Sequence, residues 1–409
     1  MESSVIDRFA SAATGVLASL REQQPDSLLK LIGAHRTDPR AHKIDVGVGV
    51  YRDAAGQTPV FAAVKEAERR LSDTQESKSY LGAAGDTVFV DLVHALVYGD
   101  AVSRNVTAGV QTPGGTGALR LAFDLLMAAS PGARVHVALP TWPVHHSILK
   151  TVGATVVTHR HCDLYTQTLC FDEMLAAFER AEAGDAVLLH GACHNPTGID
   201  FSLDQWRALA VVCRQRHLLP IIDFAYQGLG DGVDADAAGL RLLVATVDDA
   251  IVTYSCDKNF GLYRDRVGAL FVKAGDAASA EIYQANLLTL ARSLWSMPPD
   301  HGAAVVRLVL QDDDLRRSWS AELDDMRIRL ADVRACLAAI DPRLASIAAQ
   351  RGIFSTLPLG DAAVAALAVD SAVYMAAPGR INIAGLVPAQ IEPFARAVLA
   401  HIPAGASHE

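Results

Sequence analysis

Two stretches decide how this chain folds: Leu218-Leu219-Pro220-Ile221-Ile222-Asp223 and Ile251-Val252-Thr253-Tyr254-Ser255-Cys256-Asp257-Lys258. Each is a short apolar run that gives way to a polar or charged group. Ala133–Leu139, Ala186–His190 and Val267–Val272 are further runs of the same length. Such runs, apolar on both faces, suit strands buried inside a mostly parallel sheet. The segments between them are longer and helically spaced, as Leu203, Trp206, Leu209 and Ala210 show. Strand and helix in alternation predict an α/β domain with helices on both sheet faces.

Outward from this centre the pattern changes. From about Asp312, the residues Leu315, Trp319, Leu323, Met326, Leu330 and Val333 recur every three or four positions, which predicts one long helix. Beyond it, Gly352–Leu357 and Arg380–Ile383 are candidate strands, and Lys43–Tyr51 is another, leading into a turn. A smaller α+β unit made from both chain ends fits these positions. The length of 409 residues is enough for two such cores.

Composition removes several classes of function. Hydrophobic residues make up 51% and charged ones 20%, which describes a folded chain. The 36 Lys and Arg against 46 Asp and Glu leave a net charge of −10, the wrong sign for a nucleic-acid face. No apolar stretch approaches the ~20 residues of a membrane span. The six cysteines are scattered without a CxxC pair, which is neither a disulfide framework nor a zinc site, so no metal is expected. Free thiols of this kind suit a reducing cytoplasm. Glu2 and Asp7, with a single early Arg8, weigh against a leader; Val5, Phe9, Ala13, Val16 and Leu20 predict an amphipathic helix packed on the body or on a partner subunit.

In a doubly wound sheet, ligands sit at the carboxyl ends of the strands. Gly114-Gly115-Thr116-Gly117 opens a helix there, and its free backbone N–H groups suit a phosphate. Taken alone, it is a tight turn that starts a helix. Asp223 ends one run, where a carboxylate needs a partner. Lys258 follows the next, where desolvation can make an amine nucleophilic, although a lone strand-end lysine is more often merely solvated. Arg266 follows it. Together these features meet the demands of pyridoxal 5'-phosphate: a phosphate cup from the glycine turn with Ser255 and Arg266, an acid for the pyridinium nitrogen at Asp223, and a Schiff-base lysine at Lys258.

Six longer motifs carry a resemblance: Asp45-Val46-Gly47-Val48-Gly49-Val50-Tyr51, Gln111-Thr112-Pro113-Gly114-Gly115-Thr116-Gly117-Ala118-Leu119-Arg120, His194-Asn195-Pro196-Thr197-Gly198, Asp223-Phe224-Ala225-Tyr226-Gln227-Gly228, Lys258-Asn259-Phe260-Gly261-Leu262-Tyr263 and Gly379-Arg380-Ile381-Asn382-Ile383-Ala384-Gly385. With them the chain resembles the class I, fold-type I aminotransferases, in the aspartate and aromatic amino-acid subgroup, from about Pro25 to Ile402.

The resemblance implies a seven-stranded-type sheet in the large domain and a homodimer with shared sites. It implies a ping-pong exchange of an amino group between an aspartate-, glutamate-like or aromatic amino acid and a 2-oxo acid such as 2-oxoglutarate. It implies that Lys258 carries the cofactor and moves the substrate proton, and that Asp223 holds the pyridinium with His145 behind it. Tyr226 and Asn195 then face the phenolic oxygen, Trp142 stacks on the ring, and Gly115, Thr116, Ser255 and Arg266 bind the phosphate. Tyr80 reaches that phosphate from the neighbouring subunit. Arg380 clamps the substrate α-carboxylate, Gly49 lines the substrate site, and Arg292 crosses the dimer interface to a side-chain carboxylate. Residues 1–25 become an arm, 26–58 and 321–409 the small domain, and 59–320 the large one.

The chain departs from the subgroup in places. Cys256-Asp257 stands before the lysine where an aromatic residue and a serine or threonine are usual; Asp257 is expected to point away from the phosphate or to pair with a base. Ser293-Leu294-Trp295-Ser296-Met297 replaces an asparagine- and tyrosine-bearing segment, so Leu294 and Met297 are expected to make the substrate mouth more apolar. Asp26-Ser27-Leu28-Leu29-Lys30 also differs from the usual closing segment, and the extension before about Val16 has no counterpart. Two other readings remain: the same fold with a β-decarboxylase or lyase outcome, and a catalytically silent cofactor-binding protein.

Overall fold

A computed structural model describes Leu17, Leu20 and residues 27–402, with Ser27 and Leu28 described by backbone alone. The expected N-terminal amphipathic helix therefore falls, Leu20 apart, outside the described residues, as does most of the arm.

Thirteen strands occur among the described residues: β1 (Ile44–Asp45), β2 (Thr107–Pro113), β3 (Arg134–Leu139), β4 (Thr155–Arg160), β5 (Cys162–Asp163), β6 (Thr168–Leu169), β7 (Ala186–His190), β8 (Leu219–Phe224), β9 (Ala250–Ser255), β10 (Val267–Lys273), β11 (Phe354–Thr356), β12 (Val373–Tyr374) and β13 (Arg380–Asn382). Seven of them form one sheet in the order β2-β10-β9-β8-β7-β3-β4. Every pairing is parallel except those of β10, which is antiparallel to both neighbours. The apolar runs of the sequence are these central strands. Their alternating side chains divide between two cores. Leu188, Ile221 and Ile251 pack on one face, and Leu189, Ile222 and Val252 on the other. A run apolar on both faces is what a sheet covered on both sides requires.

The chain ends meet in small sheets. β1 pairs in parallel with β12, Ile44 opposite Val373, and β11 pairs antiparallel with β13, Thr356 opposite Arg380. The strand expected over Lys43–Tyr51 shrinks to two residues. Beyond Asp45 the backbone finds other partners: the Asn382 amide donates to the carbonyls of Val48 (2.6 Å) and Val50 (2.7 Å). Those bonds stabilise a loop in place of a ladder.

The long helix spans Asp313–Ile340, capped where the Asp312 carboxylate accepts from the Asp314 and Leu315 N–H groups. Its apolar stripe is buried as the spacing predicts. Two contacts matter later. Trp319 Nε1 donates to the Asn259 carbonyl at 2.6 Å, next to Lys258. The fully buried Arg334 donates to the carbonyls of Gly352 (2.8 Å) and Phe354 (2.7 Å) and to the Ser355 hydroxyl.

Candidate active site

The carboxyl ends of β8 and β9, the start of β10 and the helix that follows β2 surround a cavity of about 300 Å³. Gly115, Thr116, Trp142, Asn195, Asp223, Tyr226, Ser255, Lys258, Arg266, Gly49 and Arg380 all line it. Another cavity, about 340 Å³ and mostly apolar, opens at the amino ends of β8 and β9 near Leu126 and Tyr283. That is the end of the sheet away from the ligand-binding crevice of such folds.

At the deep end, β8 delivers Asp223. Its Oδ2 accepts from His145 Nε2 at 3.0 Å, and the Thr141 hydroxyl meets His145 Nδ1 at 2.8 Å. Burial alone would raise the Asp223 pKa; the His145 hydrogen bond together with the nearby charges of His145, His190 and Lys258 outweighs it, and the carboxyl ends below its ordinary range. His190, beside His145 at 5.3 Å between ring centroids, is pushed down to about 3 by burial and stays neutral. His145 is buried behind the acid and does not line the cavity. Trp142 stands edge-on to the His145 ring, with centroids 5.4 Å apart.

On the opposite wall, Lys258 is half-buried, with Nζ 5.4 Å from the centre of the Tyr226 ring. Burial lowers its pKa; Asp257 and then Asp223 oppose that shift. The Asn195 amide donates to the Tyr226 hydroxyl at 3.3 Å, and burial raises the Tyr226 pKa.

The shallow end is a cup. Gly114 and Gly115 open the helix Gly114–Ala129, so its first N–H groups are free to bind an anion. Side chains are excluded there: a Cβ on Gly114 would stand 2.6 Å from the Arg266 guanidinium, and one on Gly115 would stand 3.0 Å from Ser255 Cβ. Arg266 itself has φ +55°, a left-handed backbone that costs a non-glycine residue about 1 kcal/mol or more. Asp257 does not point away from the cup. It lines the cavity, and its Oδ2 accepts from Arg266 Nη1, so of the two expected outcomes the pairing is the one found.

At the mouth, Arg380 lies with its guanidinium carbon 4.8 Å from the centre of the Phe354 ring, and its Nη2 donates to the Gly47 carbonyl at 3.0 Å. A side chain on Gly49 would collide with that ring at 2.7 Å. Tyr80 and Arg292 lie outside the cavity. Tyr80 is 89% exposed, and Arg292 is exposed and bonded to the Ser296 hydroxyl. Leu294 and Met297 do not line the cavity either; Met297 Sδ instead meets the Leu81 N–H at 3.1 Å. The expected contribution of Leu294 and Met297 to an apolar mouth is therefore not found in this chain. Phe354 and Thr141 escaped the sequence reading. Phe354 sits in a predicted strand like any core aromatic, and Thr141 carries no signal beyond its place four residues before His145.

Among the residues lining the cavity, two have a buried oxygen that faces no partner, Asn195 Oδ1 and Asp257 Oδ1. Asn195 Oδ1 is unpaired beside the Tyr226 hydroxyl, where a polar group of a ligand would satisfy it. A cup of bare N–H groups, a paired acid and a desolvated amine around one cavity define a pyridoxal-phosphate enzyme, and the cofactor's polar groups fit the residues present.

The chain belongs to the family described as aminotransferase class I and II, which matches residues 41–398. It is 50% identical to the tyrosine aminotransferase of Rhizobium meliloti (strain 1021) over 376 residues, 91% of this chain and 96% of that protein. The structure of an aromatic amino acid aminotransferase with 3-indolebutyric acid superimposes with a TM-score of 0.92 at 42% identity, covering 94% of this chain and 99% of that one. The aromatic-amino-acid aminotransferase of Burkholderia pseudomallei, covalently bound to pyridoxal phosphate, gives a TM-score of 0.92 at 35% identity, covering 95% and 100%. The protein is a pyridoxal-phosphate-dependent transaminase that moves an amino group between amino acids and oxo acids.

Proposed function

We propose that the preferred donors are aromatic L-amino acids, with a dicarboxylic 2-oxo acid such as 2-oxoglutarate taking the amine, and that the enzyme works as a homodimer. The observation that carries this reading is the pair of arginines: Arg380 is fixed against Phe354 at the mouth of the cavity, and Arg292, outside it, is exposed and bonded to the Ser296 hydroxyl. An arginine that swings in for a carboxylate and out for a ring serves both substrate classes. The relatives named for tyrosine and for aromatic amino acids support the same choice.

The positions of the chain's residues support the following roles. Bound pyridoxal phosphate supplies the electron sink for the substrate's Cα carbanion. Asp223, oriented by His145 and Thr141, holds a proton on the ring nitrogen. Lys258, whose amine is desolvated, takes the proton from the substrate Cα and returns it. Asn195 and Tyr226 hold the phenolic oxygen, Trp142 covers the ring face, and Gly115, Thr116, Ser255 and Arg266 take the phosphate. Arg380 forms a bidentate pair with the α-carboxylate, and the backbone at Gly49 approaches the substrate closely. Tyr80 and Arg292 act on the partner's cavity; their exposure, with Leu81 and Leu294 alongside, supports this. The small domain is read as residues 26–58 with 321–409 around the large domain, 59–320.

All six cysteines are free thiols, which supports a cytoplasmic location. No described helix is long and apolar enough to cross a membrane. The test is a half-reaction screen of the purified enzyme with single amino acids. Phenylalanine and tyrosine are expected to convert the cofactor faster than alanine or valine; equal rates across that set would overturn the reading.

A further inference from the structure

The phosphate cup contains its own anion. Asp257 is 4% exposed, lines the cavity, and engages Arg266 Nη1 through Oδ2. Its backbone N–H donates to Ser255 Oγ at 3.2 Å, which fixes the carboxylate inside the cup. Oδ1 is buried without a partner. The charged and titratable groups around it are few: Arg266, Lys258, the Cys256 thiol and the Tyr263 ring, with the Tyr263 carbonyl also taking Arg266 Nη1 at 3.1 Å. The Lys258 amine stands between Asp257 and Asp223 and feels both, but forms no ion pair with Asp257 among the described residues. Arg266 is the cation that Asp257 holds directly and neutralises.

We propose that Asp257 is a built-in counter-anion that competes with the cofactor phosphate for Arg266, so that pyridoxamine phosphate, which Lys258 does not tether, exchanges with solution. This rests on the reading of the cavity as a pyridoxal-phosphate site. Against a phosphate dianion the cup offers a near-neutral ion pair, the helix N–H groups and the Ser255 hydroxyl. An arginine already paired to a buried carboxylate attracts a second anion weakly, and the carboxylate repels it. The aldehyde form of the cofactor has a covalent bond to Lys258 in reserve. The amine form depends on the cup alone, so the penalty falls mainly on it.

The test uses the full chain. Wild type, Asp257→Asn and Asp257→Ser are converted to the pyridoxamine form with an amino acid, and cofactor retention is followed through gel filtration. Pyridoxamine phosphate is then titrated back by quenching of tryptophan fluorescence, with and without inorganic phosphate as competitor. Both variants are expected to bind pyridoxamine phosphate ~10- to 100-fold more tightly than wild type, with a smaller gain for pyridoxal phosphate. Inorganic phosphate should also bind the variants more tightly. Unchanged or weaker binding in folded variants would overturn the proposal. So would loss of fold in both variants, because Asp257 would then be a structural partner of Arg266. If neither wild type nor variants bind pyridoxal phosphate, it is the cofactor reading that fails, a result distinct from equal affinities.

Discussion

The two ends of the cavity each hold a carboxylate, and they use it in opposite ways. At the ring end, Asp223 takes one hydrogen bond from His145 and keeps its charge for a ligand. At the phosphate end, Asp257 spends its charge on Arg266, the group best placed to receive an anion. The first end is preorganised: its acid is oriented from behind and its cavity face is open. The second must be rearranged before it can serve a phosphate fully. Burial of an acid thus says little by itself; what the acid is paired with decides whether it helps or hinders binding.

Several substitutions would break or sharpen this contrast. The largest effect is expected from Lys258→Ala, which sits between the two ends. Transamination should fall at least about 10⁴-fold, because no other amine is placed to move the Cα proton, while cofactor still binds non-covalently. Near-normal turnover would remove Lys258 from the chemistry.

Asp223→Ala tests the ring end directly. We expect half-reaction rates to fall about 10²- to 10³-fold, with looser cofactor binding. Asp223→Glu should be milder because the charge survives. Equal damage from both would mean that the geometry of the Asp223–His145 pair, and not its charge, is what the ring end contributes.

Arg292→Leu probes a contribution from outside either end. Half-reactions of aspartate, glutamate and 2-oxoglutarate should lose ~30- to 1,000-fold in kcat/KM, while those of phenylalanine and tyrosine stay nearly unchanged. If both substrate classes fell together, Arg292 would be supporting the fold or the dimer.

The smallest effect belongs to Thr141→Val. Removing the hydroxyl that meets His145 Nδ1 costs one hydrogen bond, about 1 kcal/mol, so the half-reaction should slow by roughly tenfold or less. No change in rate, with a shift only in melting temperature, would limit Thr141 to stability.

Much of this is legible in the sequence alone. The central strands announce themselves because a sheet covered on both faces needs uninterrupted apolar runs, and Asp223 and Lys258 stand out as the polar residues that follow two of them. The long helix is equally plain from its three- and four-residue spacing. What the sequence hides is pairing. Phe354 reads as a core residue, because nothing local distinguishes a ring that packs inward from one that lies under Arg380. The loop after Asp45 reads as a strand, because the Asn382 amide that holds its carbonyls lies more than three hundred residues away in sequence. Asp257 gave a partial signal: its oddity beside Lys258 implied that it either points away from the phosphate or pairs with a base, without saying that the base would be Arg266.

The long helix Asp313–Ile340 touches both sides of the cavity. Near one end, Trp319 holds the carbonyl of Asn259, the residue after Lys258; fifteen positions on, Arg334 grips the backbone of Phe354, on which Arg380 rests. At 1.5 Å per residue, those two grips are about 22 Å apart on one rigid rod. The rod is a lever with the cofactor's lysine near its fulcrum and the substrate's arginine on its arm. A tilt of a few degrees would move Phe354 and Arg380 together by an ångström or more while Lys258 stayed nearly still, so a shift at the mouth would leave the amine nearly undisturbed.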